Sequence, residues 1–190
     1  MKDSLSGKRI AFLATDGVEQ VELTQPKKAL EDAGATTEII SPKSGEIRAW
    51  KFKEWGDKLK VDKSLDQANP KDYDALVLPG GVINPDRLRM EPKAVQFVKD
   101  FARTGRTIAS ICHGPWTLIE AGLVRGKKIT SWPSLKTDLK NAGANWVDEP
   151  VVIDGNLVTS RKPDDLDTFS RAIMDRVVPI AEAEPLRAAS

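Results

Sequence analysis

Thr107-Ile108-Ala109-Ser110-Ile111-Cys112-His113-Gly114-Pro115 passes from a short apolar run into a cysteine, a histidine, a glycine and a proline with no loop between them. Five apolar or small residues bounded by turn formers read as a buried strand. Helical spacing then runs from His113 to Ala121 and stops at Gly122. A strand that enters a helix through one residue, with small residues two places before and after it, has the layout of a nucleophile elbow, here with cysteine in the place of serine. The small neighbours permit a sharp turn. That turn lifts the side chain at the carboxyl end of a parallel sheet, where open α/β sheets bind their ligands.

The same alternation extends outward in both directions. Arg9 to Ala14 is a buried strand ended by Asp16-Gly17, and a helix follows with Thr24 as N-cap, Pro26 in its first turn and Gly34 at its close. Thr36 to Ile40 is a strand ended by Ser41-Pro42. Asp74 to Leu78 is another, stopped by Pro79-Gly80-Gly81. Gly45 to Ser64 carries Trp50, Phe52 and Trp55 among many charges and reads as short strands or a flap. Glu91 to Thr104 places Ala94, Val95, Val98 and Phe101 at helical spacing before Gly105. Lys128 to Ser131 reads as a strand and Leu135 to Asn141 as a helix ended by Gly143. Val151 to Ile153 and Leu157 to Thr159 flank a hairpin signal, Asp154-Gly155-Asn156. Asp164 to Val178 closes the pattern as an amphipathic helix, before a last dozen residues read as a loose tail. Strands separated by helices imply βαβ units, hence one α/β domain with a mainly parallel central sheet between helical layers and a core from about 8 to 178.

Composition narrows the function. The 190 residues carry 29 Lys and Arg against 28 Asp and Glu, which leaves no electrostatic footprint for nucleic acid or an anionic membrane. No apolar run approaches a membrane span, and Ile10 to Ala14 is too short for a signal-peptide core, so a cytoplasmic location is expected. One cysteine forms no internal disulfide, in keeping with a reducing compartment. One cysteine with one histidine cannot build a common structural zinc site, and no metal or other cofactor is called for.

Four places carry candidate chemistry. Cys112 sits where a helix N-terminus favours the thiolate, which predicts a lowered pKa; the competing reading is a buried cysteine serving as a small hydrophobe. His113 is the only histidine, so any imidazole base must be this one. Gly80 and Gly81 end a strand and allow close backbone approach, offering an amide to an oxyanion together with the amides of the elbow, although a tight turn also explains them. They do not form a phosphate loop, since neither G-x-G-x-x-G nor a G-K-[ST] ending is present. Glu22, between two apolar residues after the first strand, is the acid placed to point inward toward the sulfur or the histidine; a solvated acidic loop is the alternative. Trp50, Trp55 and Trp132 suit a substrate rim, a subunit contact or core packing equally.

Asp74 to Gly81, Ala109 to Pro115 and Gly122-Leu123-Val124-Arg125-Gly126 together resemble the PfpI intracellular protease family, which includes protein deglycases and belongs to the class I glutamine amidotransferase-like superfamily. Thr130 to Pro133, Asn141 to Asp148 and Val151 to Arg161 extend the resemblance over nearly the whole chain. The resemblance implies a flavodoxin-like sandwich, self-association into dimers or larger assemblies, and a stress-linked cysteine hydrolase acting on peptides or carbonyl adducts. It implies Cys112 as nucleophile, His113 as its adjacent histidine, Glu22 as the acid beside the sulfur, and the Gly81 and His113 amides as oxyanion donors. Asp86 stands nearest the position of an acid that the family brings to the histidine from a neighbouring subunit, on a loop one residue longer. A redox sensor or stress chaperone working through oxidation of Cys112 is the alternative. An ammonia-releasing glutaminase needs a second, distant histidine, which the chain lacks.

Overall fold

The computed structural model describes residues 4–178. In chain order its elements are β1 (Arg9–Leu13), α1 (Gln20–Asp32), β2 (Thr36–Ser41), β3 (Glu46–Lys51), β4 (Glu54–Lys60), β5 (Lys63–Ser64), β6 (Ala75–Leu78), α2 (Ile83–Met90), α3 (Pro92–Ala102), β7 (Thr107–Ile111), α4 (Pro115–Glu120), β8 (Lys128–Ile129), α5 (Lys136–Asn141), β9 (Asn145–Trp146), β10 (Val151–Asp154), β11 (Leu157–Ser160) and α6 (Leu166–Val177). Seven strands form the central sheet in the order β10-β11-β7-β6-β1-β2-β5. Every pairing in it is parallel except β10 with β11.

The central strands are apolar throughout because both faces are covered. Ile10 and Phe12 of β1, Val77 of β6 and Ile111 of β7 pack with Leu23 and Leu30 of α1 and Phe169 and Ile173 of α6. The alternate residues Ala11, Leu13, Leu76 and Ile108 pack with Phe97 and Phe101 of α3, Leu118 of α4 and Leu139 of α5. The period-two alternation of strand side chains thus builds two cores from one sheet. From β1 the chain first winds outward to β2, then returns to the other side of β1 with β6. That reversal opens a crevice at the carboxyl ends of β1 and β6, the general ligand site of such sheets.

Some elements depart from the sequence expectation. The first helix begins at Gln20, not at Thr24. Thr24 lies inside it, its hydroxyl donating to the Gln20 carbonyl at 2.9 Å, and Pro26 occupies the helix interior. A proline tolerated mid-helix, at the loss of one ladder donor, resembles a first-turn proline when only sequence is read. The segment that carries Asp86, expected as a loop, is helical, because α2 starts at Ile83 with Pro85 in its first turn. Gly45 to Ser64 forms the antiparallel β3–β4 hairpin outside the main sheet plus the edge strand β5. The strand expected at Lys128 pairs with β9 in a separate small sheet. The hairpin at Gly155-Asn156 forms as expected. The expected loose tail lies outside the described residues, apart from its attachment near Val178. Among the described residues no helix is long and apolar enough to cross a membrane.

Candidate active site

Three adjacent strands end at the crevice, and each contributes one part of the site. β7 ends in Cys112, whose φ of 61° lies in the left-handed region that few non-glycine residues adopt. The elbow is fastened on three sides. The Cys112 N–H donates to the Ser160 carbonyl at 3.1 Å, the Gly114 N–H to the Ile111 carbonyl at 2.9 Å, and the Trp132 N–H to the Cys112 carbonyl at 3.0 Å. Backbone strain held by surrounding bonds is a mark of functional turns.

β6 ends in Pro79-Gly80-Gly81. The Gly80 N–H donates to Glu22 Oε2 at 2.9 Å. Gly80 is therefore not the oxyanion donor it was expected to be, since its amide is already used. The Gly81 and His113 amides instead face the Cys112 sulfur, and both favour its ionised form. Gly80 must be glycine, because a Cβ there would sit 2.5 Å from Glu22 Oε2 and 2.7 Å from Cys112 Cβ. Buried Asn84 on α2 ties the strand ends together. Its Oδ1 accepts from the Thr15 N–H at 2.8 Å, and its Nδ2 donates to the carbonyls of Pro79 and Gly80 at 3.0 and 3.2 Å.

Past β1, α1 brings Glu22 into the interior, where it is fully buried. Burial pushes its carboxyl up from 4.5 to about 8, and the interactions with the Cys112 thiol and the Gly80 amide oppose that rise. At neutral pH Glu22 is therefore a carboxylic acid. The thiol does not have the lowered pKa expected of a helix N-terminus. Burial, then the negative charge of an ionised Glu22, raise it above its ordinary 9.0. α4 is only a turn and a half long and begins beyond His113, so its dipole is too weak to win.

His113 is 8% exposed, and burial lowers its pKa from 6.5 to about 4. Its Nδ1 lies 3.2 Å from Cys112 Sγ and its Nε2 3.4 Å from Ser134 Oγ. Adjacency in sequence therefore does become contact in space. The ring stands edge-on to Trp116 at 5.1 Å and stacks on Trp132 at 6.2 Å. Asp86 does not join this group within the chain. It lies in the first turn of α2 and pairs with Arg89 Nη2 at 2.8 Å, while Arg89 covers the Trp116 ring.

A cavity of about 650 Å³ opens above the thiol, walled by Trp50, Phe52, Val82 and Trp132 and reaching Lys162 and Asp164. Trp50 and Trp132 thus form a rim, whereas Trp55 stands behind Trp50 in an edge contact at 5.4 Å. Sequence reasoning missed Asn84, Ser134 and Lys162. Nothing local marks them, since each reaches the site only because the sheet brings distant segments together. Phe52 was noticed, but its place on the cavity wall was not foreseen.

Residues 8–176 match the model of the DJ-1/PfpI family. YraA of Bacillus subtilis, whose name assigns it provisionally to the cysteine proteases, is 43% identical over 164 residues, spanning 86% of this chain and 95% of YraA. Deglycase PH1704 of Pyrococcus horikoshii is 44% identical over 163 residues, again spanning 86% of this chain and 95% of the relative. Among solved structures, DJ-1beta of Drosophila melanogaster superposes with a TM-score of 0.83 at 28% identity over 90% of each chain. With a family match over nearly the whole chain and relatives 43% and 44% identical across most of it, the chain belongs to the DJ-1/PfpI family.

Proposed function

We propose that the chain is a cysteine-dependent hydrolase whose Cys112 adds to the carbonyl carbon of a small aldehyde or glycation adduct, as the name of its deglycase relative suggests, rather than to a peptide amide. One observation carries this reading: a strained elbow thiol, two backbone amides facing it and a carboxyl that keeps its proton at neutral pH meet at the floor of one cavity.

Addition forms a C–S bond while the carbonyl π pair moves to oxygen. The Gly81 and His113 amides stabilise that oxygen. The thiol proton passes to His113 Nδ1, 3.2 Å away, and from there to the alkoxide, giving a hemithioacetal. Protonated Glu22 places no negative charge beside the sulfur as it ionises. For an α-oxoaldehyde, moving the C1 proton to C2 within this adduct gives a thioester. His113, neutral again once the alkoxide is protonated, is the base that takes the C1 proton and returns it at C2, while Glu22 stays an uncharged acid beside the sulfur. Water then cleaves the thioester to a 2-hydroxy acid and restores the thiol.

Peptide cleavage asks more of the histidine, because the departing amine must be protonated. With a pKa near 4 and a serine hydroxyl rather than a carboxylate as its other partner, His113 stabilises poorly the imidazolium that would have to carry the thiol proton until the amine departs.

The experiment follows lactate from methylglyoxal, with peptide amides assayed in parallel. Wild type should form lactate, and Cys112→Ser should form none while its circular dichroism is unchanged. Near-normal turnover by Cys112→Ser would falsify the proposal. Cysteine-dependent release of amine from a peptide would instead favour an acid delivered to His113 by a second copy of the chain.

A further inference from the structure

The tip of the β3–β4 hairpin holds a conformation that its own residues disfavour. Lys51 pairs with Glu54, so Phe52 and Lys53 form a two-residue turn, and Phe52 has a φ of 56°. Asn, Asp and Gly usually take such positions, since a larger side chain crowds the backbone there. Two hydrogen bonds hold Phe52 in place. Its N–H donates to Glu19 Oε1 at 3.3 Å, and its carbonyl accepts from the Trp50 indole at 3.0 Å. The Trp50 N–H in turn donates to the Val18 carbonyl at 2.7 Å. The turn is thus fastened to the segment that leads from β1 to Glu22.

What this strain presents is an aromatic side chain, 63% exposed, on the wall of the cavity that contains Cys112. Folding gains nothing from a solvent-exposed phenylalanine at a left-handed position, and strain retained at a cavity mouth points to use there. Size agrees. The methyl group of methylglyoxal leaves most of about 650 Å³ empty, whereas an aromatic ring meets the faces of Phe52, Trp50 and Trp132.

We infer that Phe52 determines specificity, and that the site takes α-oxoaldehydes, or adducts derived from them, carrying an aromatic or bulky apolar substituent; this rests on the proposed role of Cys112 as the group that meets the carbonyl. The three aromatic side chains enclose the substituent and leave the carbonyl carbon over the thiol.

The test needs no turnover. Phenacyl bromide and bromoacetone each alkylate a thiol, the C–S bond forming as the C–Br bond breaks, bromide leaving and the thiol proton passing to solvent. The chain has one cysteine, so an adduct that intact-mass spectrometry finds on the full chain and not on Cys112→Ser belongs to Cys112. Each rate is divided by that of free N-acetylcysteine with the same reagent. Wild type should favour phenacyl bromide about tenfold, the scale of a well-placed aromatic contact. In Phe52→Ala and Phe52→Gly the preference should fall to within about twofold of unity. Glycine suits the backbone at this position, so Phe52→Gly should melt at or above the wild-type temperature and separate loss of the ring from loss of the turn. A wild-type ratio near one, or a preference retained by both variants, overturns the inference. Lactate formation bears on the proposed reaction alone, so the two fail separately.

Discussion

Glu22→Gln should remove a pH dependence of stability that the wild-type chain carries between pH 6.5 and 8. Glu22 is fully buried, and its carboxyl is raised from 4.5 to about 8. Between those values the folded chain holds a proton that the unfolded chain has released. Stability is therefore fully present below pH 4.5 and is lost as pH rises toward 8. At about 1.36 kcal/mol per pH unit, the whole window amounts to about 5 kcal/mol. His113 works in the opposite sense. With its pKa lowered from 6.5 to about 4, it adds stability above pH 6.5 that is lost as pH falls through 4. The two groups oppose each other below pH 6.5, and Glu22 acts alone above it. From pH 6.5 to 8 the loss assigned to Glu22 is on the order of 1–2 kcal/mol, because the slope flattens as the carboxyl ionises. Glutamine keeps an acceptor for the Gly80 amide and has no proton to lose. Urea denaturation of both proteins at half-unit steps would measure the difference. Glu22→Gln should gain on the order of 1–2 kcal/mol on wild type across the range. A difference that stays flat with pH would refute the claim that folding raises this carboxyl.

Two further outcomes are expected. Gly81→Ala would place a Cβ 2.6 Å from the Gly17 carbonyl oxygen and 2.7 Å from the Glu19 nitrogen at a φ of 79°, and since backbone cannot yield cheaply it should cost about 1–3 kcal/mol in urea denaturation and abolish lactate formation; an unchanged unfolding midpoint would contradict this. Because burial and then the Glu22 carboxylate raise the thiol, Glu22→Gln should speed iodoacetamide labelling of Cys112 at pH 9, and superimposable rate profiles would remove Glu22 from the surroundings of the sulfur.

Much of the architecture was legible in the sequence because the signals that set it are local. The apolar runs at Ile10 to Leu13, Ala75 to Leu78 and Thr107 to Ile111 have the length and composition of strands covered on both faces, and all three are central in the sheet. The elbow was legible for the same reason, since a strand, one residue and a helix leave little freedom between them. Where local signals conflicted, the expectation erred. Pro26 lies inside a helix whose packing outweighs what proline costs, and Pro85, which read as part of a loop, sits in a helical first turn where proline is tolerated.

The sequence by itself determined the order of strands and helices and the residue at which β7 turns over, because hydrophobic period and turn chemistry act over a few residues. Tertiary structure alone decided the chemistry of the site. It carried Glu22 into a water-free interior, used up the Gly80 amide, left His113 neutral, kept Asp86 with Arg89 and set Phe52 on the wall of the cavity that contains the thiol. A pKa and a cavity wall depend on which distant segments exclude water from a point in space, and no short stretch of sequence records that.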